Sequence, residues 1–404
     1  MTSNTGLLLS NRERIHSMKK KWLLPLALAL AVVLIILVCV CVFLGTEKPS
    51  EDPNPITTEK TESTQTTTTT QATSPTETTV PPTTQAPTQV PTQAPSQPQM
   101  EYCNPFTGEP QAEPFTARPF LISMNNNKNA MPFCGLNEAD IVFEMLVNSR
   151  STRCLALVTD VNAIERIGSI RSLRYNFTDL AQAYNGIVVY ASGSDLVISD
   201  MKASGVNHVN ALNGGNGGAF YREQGRLDSG YAREHTLFTI PGLMAQYAQK
   251  LGYSLTVDGP IDTGLRFSQN GVPADGKTAN TITMSFFTRN KTTTMKYDAA
   301  TQRYQFYQYG AGMVDGNTNE PLAFRNVFTL FAVNRDEDGY HIAELLGSGD
   351  GYYACGGKIV PIKWYREADN DPFVFTLADG TPLEQSVGNS YIGIIPTGSA
   401  FTYE

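Results

Sequence analysis

Three arginines, a histidine and a glutamate occur in segments where their chemistry could bind an anion. Arg153 precedes an apolar run, and Arg171 and Arg174 stand three residues apart at the start of an expected amphipathic helix. The positive end of a helix dipole disfavours cations, so guanidinium groups there need a compensating partner. A docked anion would supply one, because a strand, a glycine-containing turn and a helix start aim backbone N–H groups at a ligand. His235 and Glu144, from other segments, are expected to complete this pocket.

A structural role for the same side chains is the alternative. The arginines could pair with carboxylates and lock a helix to a strand; the candidate acids are Glu144, Asp140 and Asp179. Exposed ion pairs contribute under about 1 kcal/mol, so only a partly buried network would explain the placement. A structural hydrogen bond is likewise the alternative role of His235. The sequence leaves both alternatives open.

Catalytic templates are incomplete in this chain. Ser199 and Lys202 have the Ser-x-x-Lys spacing of penicillin-binding enzymes, but no Lys-Thr-Gly sequence accompanies them and both fit a helix face. No Gly-x-Ser-x-Gly nucleophile elbow is present. Ser194 is expected to be a helix N-cap. Whether the chain catalyses a reaction stays open, and the sequence predicts no cofactor and no metal.

The charge distribution argues against nucleic acid as a partner. The chain has a formal net charge of −8, and residues 101–404 have the same net charge. Between residues 118 and 235, eleven basic side chains balance eleven acidic ones, and nine of the eleven bases are arginine. The planar guanidinium binds carboxylate or phosphate through two hydrogen bonds, which lysine cannot do. The expected ligand is therefore an anion that carries carboxylate or phosphate groups.

Strands and helices that would position these residues alternate up to residue 255. Apolar, β-branched runs predict strands at 120–124, 141–147, 154–161 and 186–192. Amphipathic spacing predicts helices at 171–184, 195–204 and 241–252. This alternation predicts an α/β (α+β) domain over 101–255, with a mixed sheet and flanking helices.

A smaller, β-rich domain is predicted over 256–404. Its aromatic and β-branched runs, separated by Gly, Asn and Asp clusters, lie at 281–287, 303–309, 327–333, 358–365, 373–377 and 391–396. Four cysteines fall in the two domains: Cys103, Cys134, Cys154 and Cys355. They lack the spacing of a zinc site, and up to two disulfides in any of three pairings are left open.

The N-terminal 100 residues predict a membrane anchor and a spacer. Residues 1–21 contain five basic side chains and one acid, and residues 22–44 contain no charge, so a cytoplasmic tail and a transmembrane helix are expected. A cleaved signal peptide would have a shorter apolar core and an Ala-x-Ala-like site, which is not seen before residue 45. Residues 45–100, with 18 Thr and 10 Pro after residue 45, predict a disordered stalk. The chain is therefore expected to be single-pass in the cell membrane, with both domains extracytoplasmic.

Eight segments together resemble the YerB-like family of Gram-positive extracytoplasmic proteins. They are "ADIVFE" (139–144), "STRCLAL" (151–157), "GSIRSLR" (168–174), "YASGSD" (190–195), "AFYR" (219–222), "REHTLFT" (233–239), "GSGDGYYACGGKIVPIKW" (347–364) and "ADGTPLEQSVGNSYIGIIP" (378–396). The resemblance implies an N-terminal and a C-terminal domain of unknown function. It implies an architecture and no reaction.

Three functions are compatible with these observations. The first is a cell-envelope protein that binds an anionic envelope ligand at the arginines. The second is a metal-dependent transferase of envelope glycopolymers from a polyprenyl phosphate; it predicts a divalent metal near Arg171, held by Asp140 or Asp160. The third is a scaffold that contacts other envelope proteins through the aromatic C-terminal domain.

Overall fold

The computed structural model describes residues 102–287 and 291–404. Three predicted segments lie outside these residues: the cytoplasmic tail 1–21, the transmembrane helix 22–44 and the stalk 45–100. Among the described residues, no helix is both long enough and apolar enough to cross a bilayer. The described chain is a sheet-rich α+β structure with a mixed sheet and few helices.

The N-terminal half alternates strands with short helices. Its helices are α1 (Tyr175–Ala183), α2 (Asp195–Ala203), α3 (Gln224–Asp228) and α4 (Pro241–Lys250), and 3-10 turns occupy Lys128–Ala130 and Arg233–His235. Its strands are β1 (Tyr102–Cys103), β2 (Pro110–Gln111), β3 (Phe120–Asn125), β4 (Ile141–Asn148), β5 (Ser151–Val158), β6 (Ile167–Gly168), β7 (Ile187–Tyr190), β8 (His208–Asn210), β9 (Phe220–Arg222) and β10 (Leu237–Thr239). The four predicted strands are confirmed, as are the two predicted helices that became α2 and α4.

The described part of the C-terminal half contains strands and no α-helix. The strands are β11 (Phe267–Ser268), β12 (Lys277–Thr278), β13 (Thr281–Phe287), β14 (Lys291–Asp298), β15 (Arg303–Gln308), β16 (Ala311–Gly312), β17 (Ala323–Phe324), β18 (Asn326–Ala332), β19 (Asn334–Glu337), β20 (Tyr340–Ala343), β21 (Gly347–Cys355), β22 (Lys358–Arg366), β23 (Val374–Leu377), β24 (Gln385–Ser386), β25 (Ser390–Pro396) and β26 (Phe401–Tyr403). The predicted strand-rich character of this half is confirmed.

One large mixed sheet contains strands from both halves. In the described chain it has eleven strands, in the order β12-β22-β21-β18-β25-β4-β5-β3-β7-β8, with β23 also paired to β22. Strand β25 runs parallel to β4, with Ser390 opposite Ile141 and Ile394 opposite Met145. The predicted domain boundary at 255/256 falls between α4 and β11 and stays a prediction.

Both faces of this sheet are covered, so β4 is an almost continuous apolar run. Val142 and Leu146 face a core shared with a second, six-stranded sheet that contains β13 to β17 and β26. Phe143 and Met145 face the opposite core, which is closed by side chains of α1 and α2. Successive side chains of a strand point to opposite faces, so a run without polar alternation indicates two covered faces.

Helix α1 begins four residues later than the predicted helix. Residues 171–174 are extended: the Arg171 N–H donates to the Ser123 carbonyl at 2.8 Å, and the Ala191 N–H donates to the Arg171 carbonyl at 2.9 Å. Arg174 is the N-cap, with φ −138° and ψ 156°. The prediction that Arg171 and Arg174 lie on a helix is therefore wrong, because these hydrogen bonds to neighbouring chain segments replace a first helical turn.

All four cysteines of the described chain are free thiols, which settles the pairing that the sequence left open. Cys103 is exposed, whereas Cys134, Cys154 and Cys355 are buried. Burial raises the pKa of the Cys154 thiol well above its usual value, and the Glu144 carboxylate adds to this shift. A buried thiol of this kind is a small apolar side chain rather than a reactive group.

Candidate functional site

The segment from Ser169 to Arg174 lies at the carboxyl ends of two parallel strands, β3 and β7. The Asn125 N–H at the end of β3 donates to the Ser169 carbonyl at 2.8 Å, and the Leu173 N–H donates to the Ser192 carbonyl, just after β7, at 2.9 Å. The carboxyl edge of parallel strands is where open α/β sheets bind ligands. The backbone therefore fixes two of the predicted arginines at a position suited to a binding site.

Arg153, Arg171 and Arg174 come together here and are called the arginine cluster below. Each donates one guanidinium N–H to a backbone carbonyl: Arg153 to Ser172 (2.6 Å), Arg174 to Leu173 (2.6 Å) and Arg171 to Glu234 (3.3 Å). Arg153 is only 7% exposed, although it is the third residue of β5. A guanidinium has five N–H donors, so most of the donors of this cluster are left for other acceptors.

The arginine cluster has no acidic counterpart. Among the described residues, no carboxylate forms an ion pair with Arg153, Arg171 or Arg174. The Nε atoms of Arg171 and Arg174 are buried and have no hydrogen-bond partner. The structure therefore does not show the alternative from the sequence, in which the arginines pair with Asp140, Glu144 or Asp179. Three positive charges lie together without an ion-paired carboxylate of the described chain, which is costly for side chains removed from water.

The pKa values of the cluster reflect this crowding. Burial lowers the pKa of Arg153 well below its usual value, and the charges of Arg174 and Arg171 lower it further. Burial also lowers the pKa of Arg174 to about 10; Tyr340 opposes this shift and Arg171 adds to it. For Arg171, burial lowers the pKa, and the carboxylate of Glu234 partly offsets the effect. Like charges in a poorly hydrated site repel, so an anion placed among them would relieve the repulsion.

His235 lies beside the arginine cluster and is 7% exposed. Its Nδ1 is 2.9 Å from Nδ2 of Asn125, the last residue of β3. An amide N–H can only donate, so Nδ1 accepts and the neutral ring carries its proton on Nε2. Burial lowers the pKa of His235, and the charges of Arg171 and Arg226 add to the shift against the opposing effect of Glu234. The ring is therefore a neutral donor near the charges of Arg171 and Arg226.

The hairpin formed by β19 and β20, in the C-terminal half, contacts the cluster. The Arg174 guanidinium lies 5.0 Å from the ring centroid of Tyr340, at the start of β20. The hairpin is attached to α1 through Asn176, whose side chain accepts from the Ala343 N–H at 2.9 Å and donates to the Ala343 carbonyl at 2.8 Å. Both halves of the chain therefore contribute to the site, a contact between distant segments that the sequence did not indicate.

Glu144 is not part of the cluster, because it points to the opposite face of the sheet. Glu144 lies opposite Cys154, whereas Arg153 lies opposite Met145, and neighbouring positions on a strand face opposite sides. The Glu144 carboxylate is fully buried. It accepts hydrogen bonds of 2.6–3.1 Å from the side chains of Thr152, Asn126, Thr293, Gln308 and Tyr391, and the Lys291 ammonium is 3.8 Å away. Glu144 thus joins the two sheets, and the structure brings together four of the five predicted site residues.

The other candidates from the sequence lie elsewhere. Asp140, at the start of β4, accepts from Asn104 at 2.8 Å and from Thr159, and burial raises its pKa to about 6. Asp160 accepts from the Asn162 N–H in a turn. Both acids are at the other end of the β4–β5 pair from Arg153 and Met145. Within residues 102–287 and 291–404, no three His, Cys, Asp or Glu side chains cluster as metal ligands would.

The serine and lysine candidates have ordinary helix positions. Ser199 and Lys202 are exposed on α2. Ser194 accepts from the Val197 N–H at 3.4 Å and is the N-cap of α2, as predicted.

One motif that the sequence analysis overlooked is "GVPADGKT", residues 271–278, which has the spacing of a phosphate-binding loop. In the structure Lys277 and Thr278 form the exposed strand β12, and the next element is strand β13. The loop lines a cavity of about 560 Å³ together with Tyr353 and Leu383. A phosphate-binding loop needs a helix N-terminus directly after it, and here a strand follows, so the match to the motif does not indicate a phosphate site.

Comparisons with known proteins agree on the family to which this chain belongs. Residues 106–254 match the family model "Protein of unknown function (DUF3048) N-terminal domain", and residues 282–392 match the corresponding C-terminal domain. The chain is 26% identical over 300 residues to the "Putative lipoprotein YerB" of Bacillus subtilis (strain 168), covering 72% of this chain and 86% of that protein. The crystal structure of YerB from Bacillus subtilis superimposes with a TM-score of 0.64 at 24% identity, covering 74% of this chain and 99% of that one. The last likeness shows the fold, and none of the three states an activity.

Proposed function

From the premise that the chain belongs to the YerB-like family, defined by the DUF3048 N-terminal and C-terminal domains, we propose a binding function in the cell envelope. The protein is a membrane-associated, extracytoplasmic protein that binds an anionic envelope component at the arginine cluster and His235. Two observations support its location: the relative from Bacillus subtilis is named a lipoprotein, and residues 22–44 contain no charge and follow a basic segment. An uncleaved single-pass anchor is part of this proposal.

The observation that carries the proposal is the uncompensated charge of Arg153, Arg171 and Arg174. A buried charge that serves only the fold is either paired or has its donors satisfied by hydrogen bonds, since an unsatisfied buried charge costs several kcal/mol. Here two Nε donors are buried without an acceptor, and no acid pairs with the three guanidinium groups in the described part of the chain. An oxyanion would accept from both Nε groups and reduce the mutual repulsion.

The contrast with Arg226 supports this interpretation. Arg226 is 8% exposed and donates to three backbone carbonyls, those of Ala130 (2.7 Å), His235 (3.1 Å) and Pro132 (2.5 Å). Its ring neighbours Tyr231 and Phe238 lie 5.2 and 4.7 Å from the guanidinium carbon. This is how the protein uses an arginine for structure, with its donors satisfied by the fold. The arginine cluster lacks that pattern.

The chemistry of the donors favours a phosphate-bearing ligand. Guanidinium groups bind phosphate through paired hydrogen bonds, and a neutral histidine Nε2–H donates without competing for the proton of the ligand. Such a phosphate could be a lipid headgroup or part of a soluble cell-wall component. Turnover is not included in the proposal, because Asp140 and Asp160 lie at the other end of the β4–β5 pair.

The test is thermal unfolding of the full-length protein in detergent, with and without a phosphate ligand. Inorganic phosphate and farnesyl phosphate are compared with sodium chloride at equal ionic strength, for the wild type and for Arg171→Gln. A ligand at 100 times its dissociation constant stabilises by about 2.7 kcal/mol, which is several degrees for a chain of this size. We expect the wild type to show this shift and Arg171→Gln to lose it.

Arg266→Gln is the matched control, because Arg266 is exposed and lines a cavity remote from the cluster. It should keep the full shift. A shift with farnesyl phosphate alone would identify a lipid headgroup, and a shift with both ligands a free phosphate site. If neither ligand shifts the wild type, or if the two variants behave alike, the proposed function is wrong.

A further inference from the structure

We infer that the ligand is a linear phosphate polymer, whose successive phosphate groups contact the arginine cluster and then Arg222 and Arg233. This inference rests on the proposed function and extends it from a single anion to a class of ligand. It depends on a second pair of arginines, on elements other than those that carry the cluster.

Arg222 and Arg233 continue the arginine cluster through one 3-10 turn. Arg222 ends β9 and donates from Nη1 to the Arg233 carbonyl at 2.6 Å. Arg171 donates from Nη1 to the next carbonyl of the same turn, that of Glu234, at 3.3 Å. The guanidinium groups of Arg222 and Arg171 therefore donate to consecutive carbonyls of this turn, and His235 is its last residue. The turn connects the arginine cluster to Arg222 and Arg233, which are called the outer pair below.

The charges of the arginine cluster and of the outer pair act on each other. Burial lowers the pKa of Arg222, and the charges of Arg233 and then Arg171 lower it further. Arg171 in turn acts on Arg153 and Arg174, so electrostatic interactions connect all five guanidinium groups, which are together called the row. None of the five forms an ion pair with a carboxylate of the described residues. This row occurs in a chain whose formal net charge is −8.

A row of five guanidinium groups is more than one anionic group can use. A phosphate monoester has at most two negative charges, so one such group can neutralise no more than two of the five guanidinium groups. The row is built from β5, the segment 169–174, β9 and the turn Arg233–His235, and Arg222 and Arg171 donate to two different carbonyls of that turn. Several anions in series would satisfy it, and a linear polymer supplies them at a high effective concentration.

Phosphate groups fit the row better than carboxylates do. The donors belong to four chain segments, and a tetrahedral phosphate presents its oxygens in several directions. The two oxygens of a carboxylate lie in one plane and match a single guanidinium fork. A chain of phosphates is therefore the chemical class that this arrangement favours.

The experiment measures dissociation constants by titration calorimetry on the full-length protein in detergent. The probes are inorganic phosphate, linear polyphosphate of about ten units and poly-L-glutamate of the same length, all at fixed ionic strength. Concentrations are expressed per anionic group, to remove the statistical advantage of a polymer. The variants are Arg222→Gln/Arg233→Gln, Arg171→Gln and the remote control Arg266→Gln, each checked for an unchanged melting profile.

We expect polyphosphate to bind the wild type at least about tenfold more tightly per phosphate than inorganic phosphate does. In Arg222→Gln/Arg233→Gln this ratio should fall to about one, whereas Arg266→Gln should keep it. Arg171→Gln should weaken both ligands. The salt dependence of polyphosphate binding should also be steeper for the wild type than for the double variant.

Three results would overturn the inference, and they differ from the failure of the proposed function. If phosphate and polyphosphate bind equally per group, the site takes one anion and the outer pair has no role. If the double variant keeps the polyphosphate advantage, the polymer runs elsewhere. If poly-L-glutamate equals polyphosphate, the phosphate assignment is wrong. If no anion binds, the proposed function and this inference both fail.

Discussion

Replacing Arg174 by glutamine is expected to stabilise the unliganded protein by about 1 kcal/mol, which is the opposite of the usual effect of removing a buried side chain. Burial, opposed by Tyr340 and helped by Arg171, lowers the pKa of Arg174 from the usual value of an arginine to about 10. At 1.36 kcal/mol per tenfold change, this corresponds to a penalty of about 3 kcal/mol for the charged form. Glutamine removes the charge and keeps a hydrogen-bond donor.

One further favourable contact of Arg174 reduces the expected gain. The pKa of about 10 already includes the opposing effect of Tyr340, so the contact with that ring is not subtracted again. The bond to the Leu173 carbonyl, at 2.6 Å, is charge-assisted and contributes about 1–2 kcal/mol more than a neutral replacement would. Subtracting about 2 kcal/mol from the penalty leaves about 1 kcal/mol, or roughly 2 °C in melting temperature.

The assay is differential scanning calorimetry of the full-length protein in detergent, after dialysis into a phosphate-free chloride buffer. Arg226→Gln is the comparison for a structural arginine and should lose at least about 2 kcal/mol, because it breaks bonds to three carbonyls. Arg266→Gln should be neutral. If Arg174→Gln melts several degrees below the wild type, as Arg226→Gln should, the cluster holds the fold together and the reasoning about uncompensated charge is refuted.

Three further predictions concern other parts of the structure. Glu144→Gln should lower the free energy of unfolding by about 3–5 kcal/mol in a urea titration, because Lys291 loses its buried counter-charge. The double variant Glu144→Gln/Lys291→Met should recover part of this stability, and an equal loss in both variants would contradict the pairing. Burial lowers the pKa of His235, so below the usual pKa of about 6.5 the unfolded chain takes up a proton that the folded chain does not. The free energy of unfolding should therefore fall as the pH drops from about 7 to about 5.5, and less steeply in His235→Gln; parallel profiles would show that the ring titrates normally. Asn176→Ala should cost about 3 kcal/mol by thermal melting, because the buried N–H and carbonyl of Ala343 lose their partner; a change below about 0.5 kcal/mol would mean that the hairpin is attached in another way.

Local signals in the sequence predicted much of the fold. Strand β13 has the predicted bounds, 281–287, because its alternation is typical of a strand with one covered face. Helix α2 begins after Ser194, as its capping pattern indicated. In contrast, the first four residues of the expected helix at 171–184 are extended, since their hydrogen bonds go to Ser123 and Ala191, segments that no local pattern connects with them.

The candidate site was predictable only where its residues flank the same strands. Arg153, Arg171 and Arg174 do come together, although the helix that the pattern predicted begins only after Arg174. Glu144 was misplaced because its partners Thr293 and Tyr391 lie 149 and 247 residues away in the chain, across a parallel pairing of β25 with β4. Periodicity cannot identify a pairing between strands so far apart in sequence.

Tyr340, Arg222 and Arg233 were missed for the same reason. Each reaches the site through a hairpin or a turn whose position depends on tertiary contacts. A run of polar residues that begins at Asn125, the last residue of β3, was the one local signal for a further member of the site.

The most direct test of the central claim is to locate an oxyanion in crystals of the protein. Crystals grown without phosphate or sulfate would be soaked in tungstate, a tetrahedral oxyanion that scatters anomalously, and its position would be read from the anomalous difference map. We predict a peak within hydrogen-bond distance of the Nε atoms of Arg171 and Arg174, next to Arg153 and His235, and no such peak in Arg171→Gln crystals. Peaks confined to other surfaces, with the two Nε atoms still lacking an acceptor, would contradict the anion-binding function.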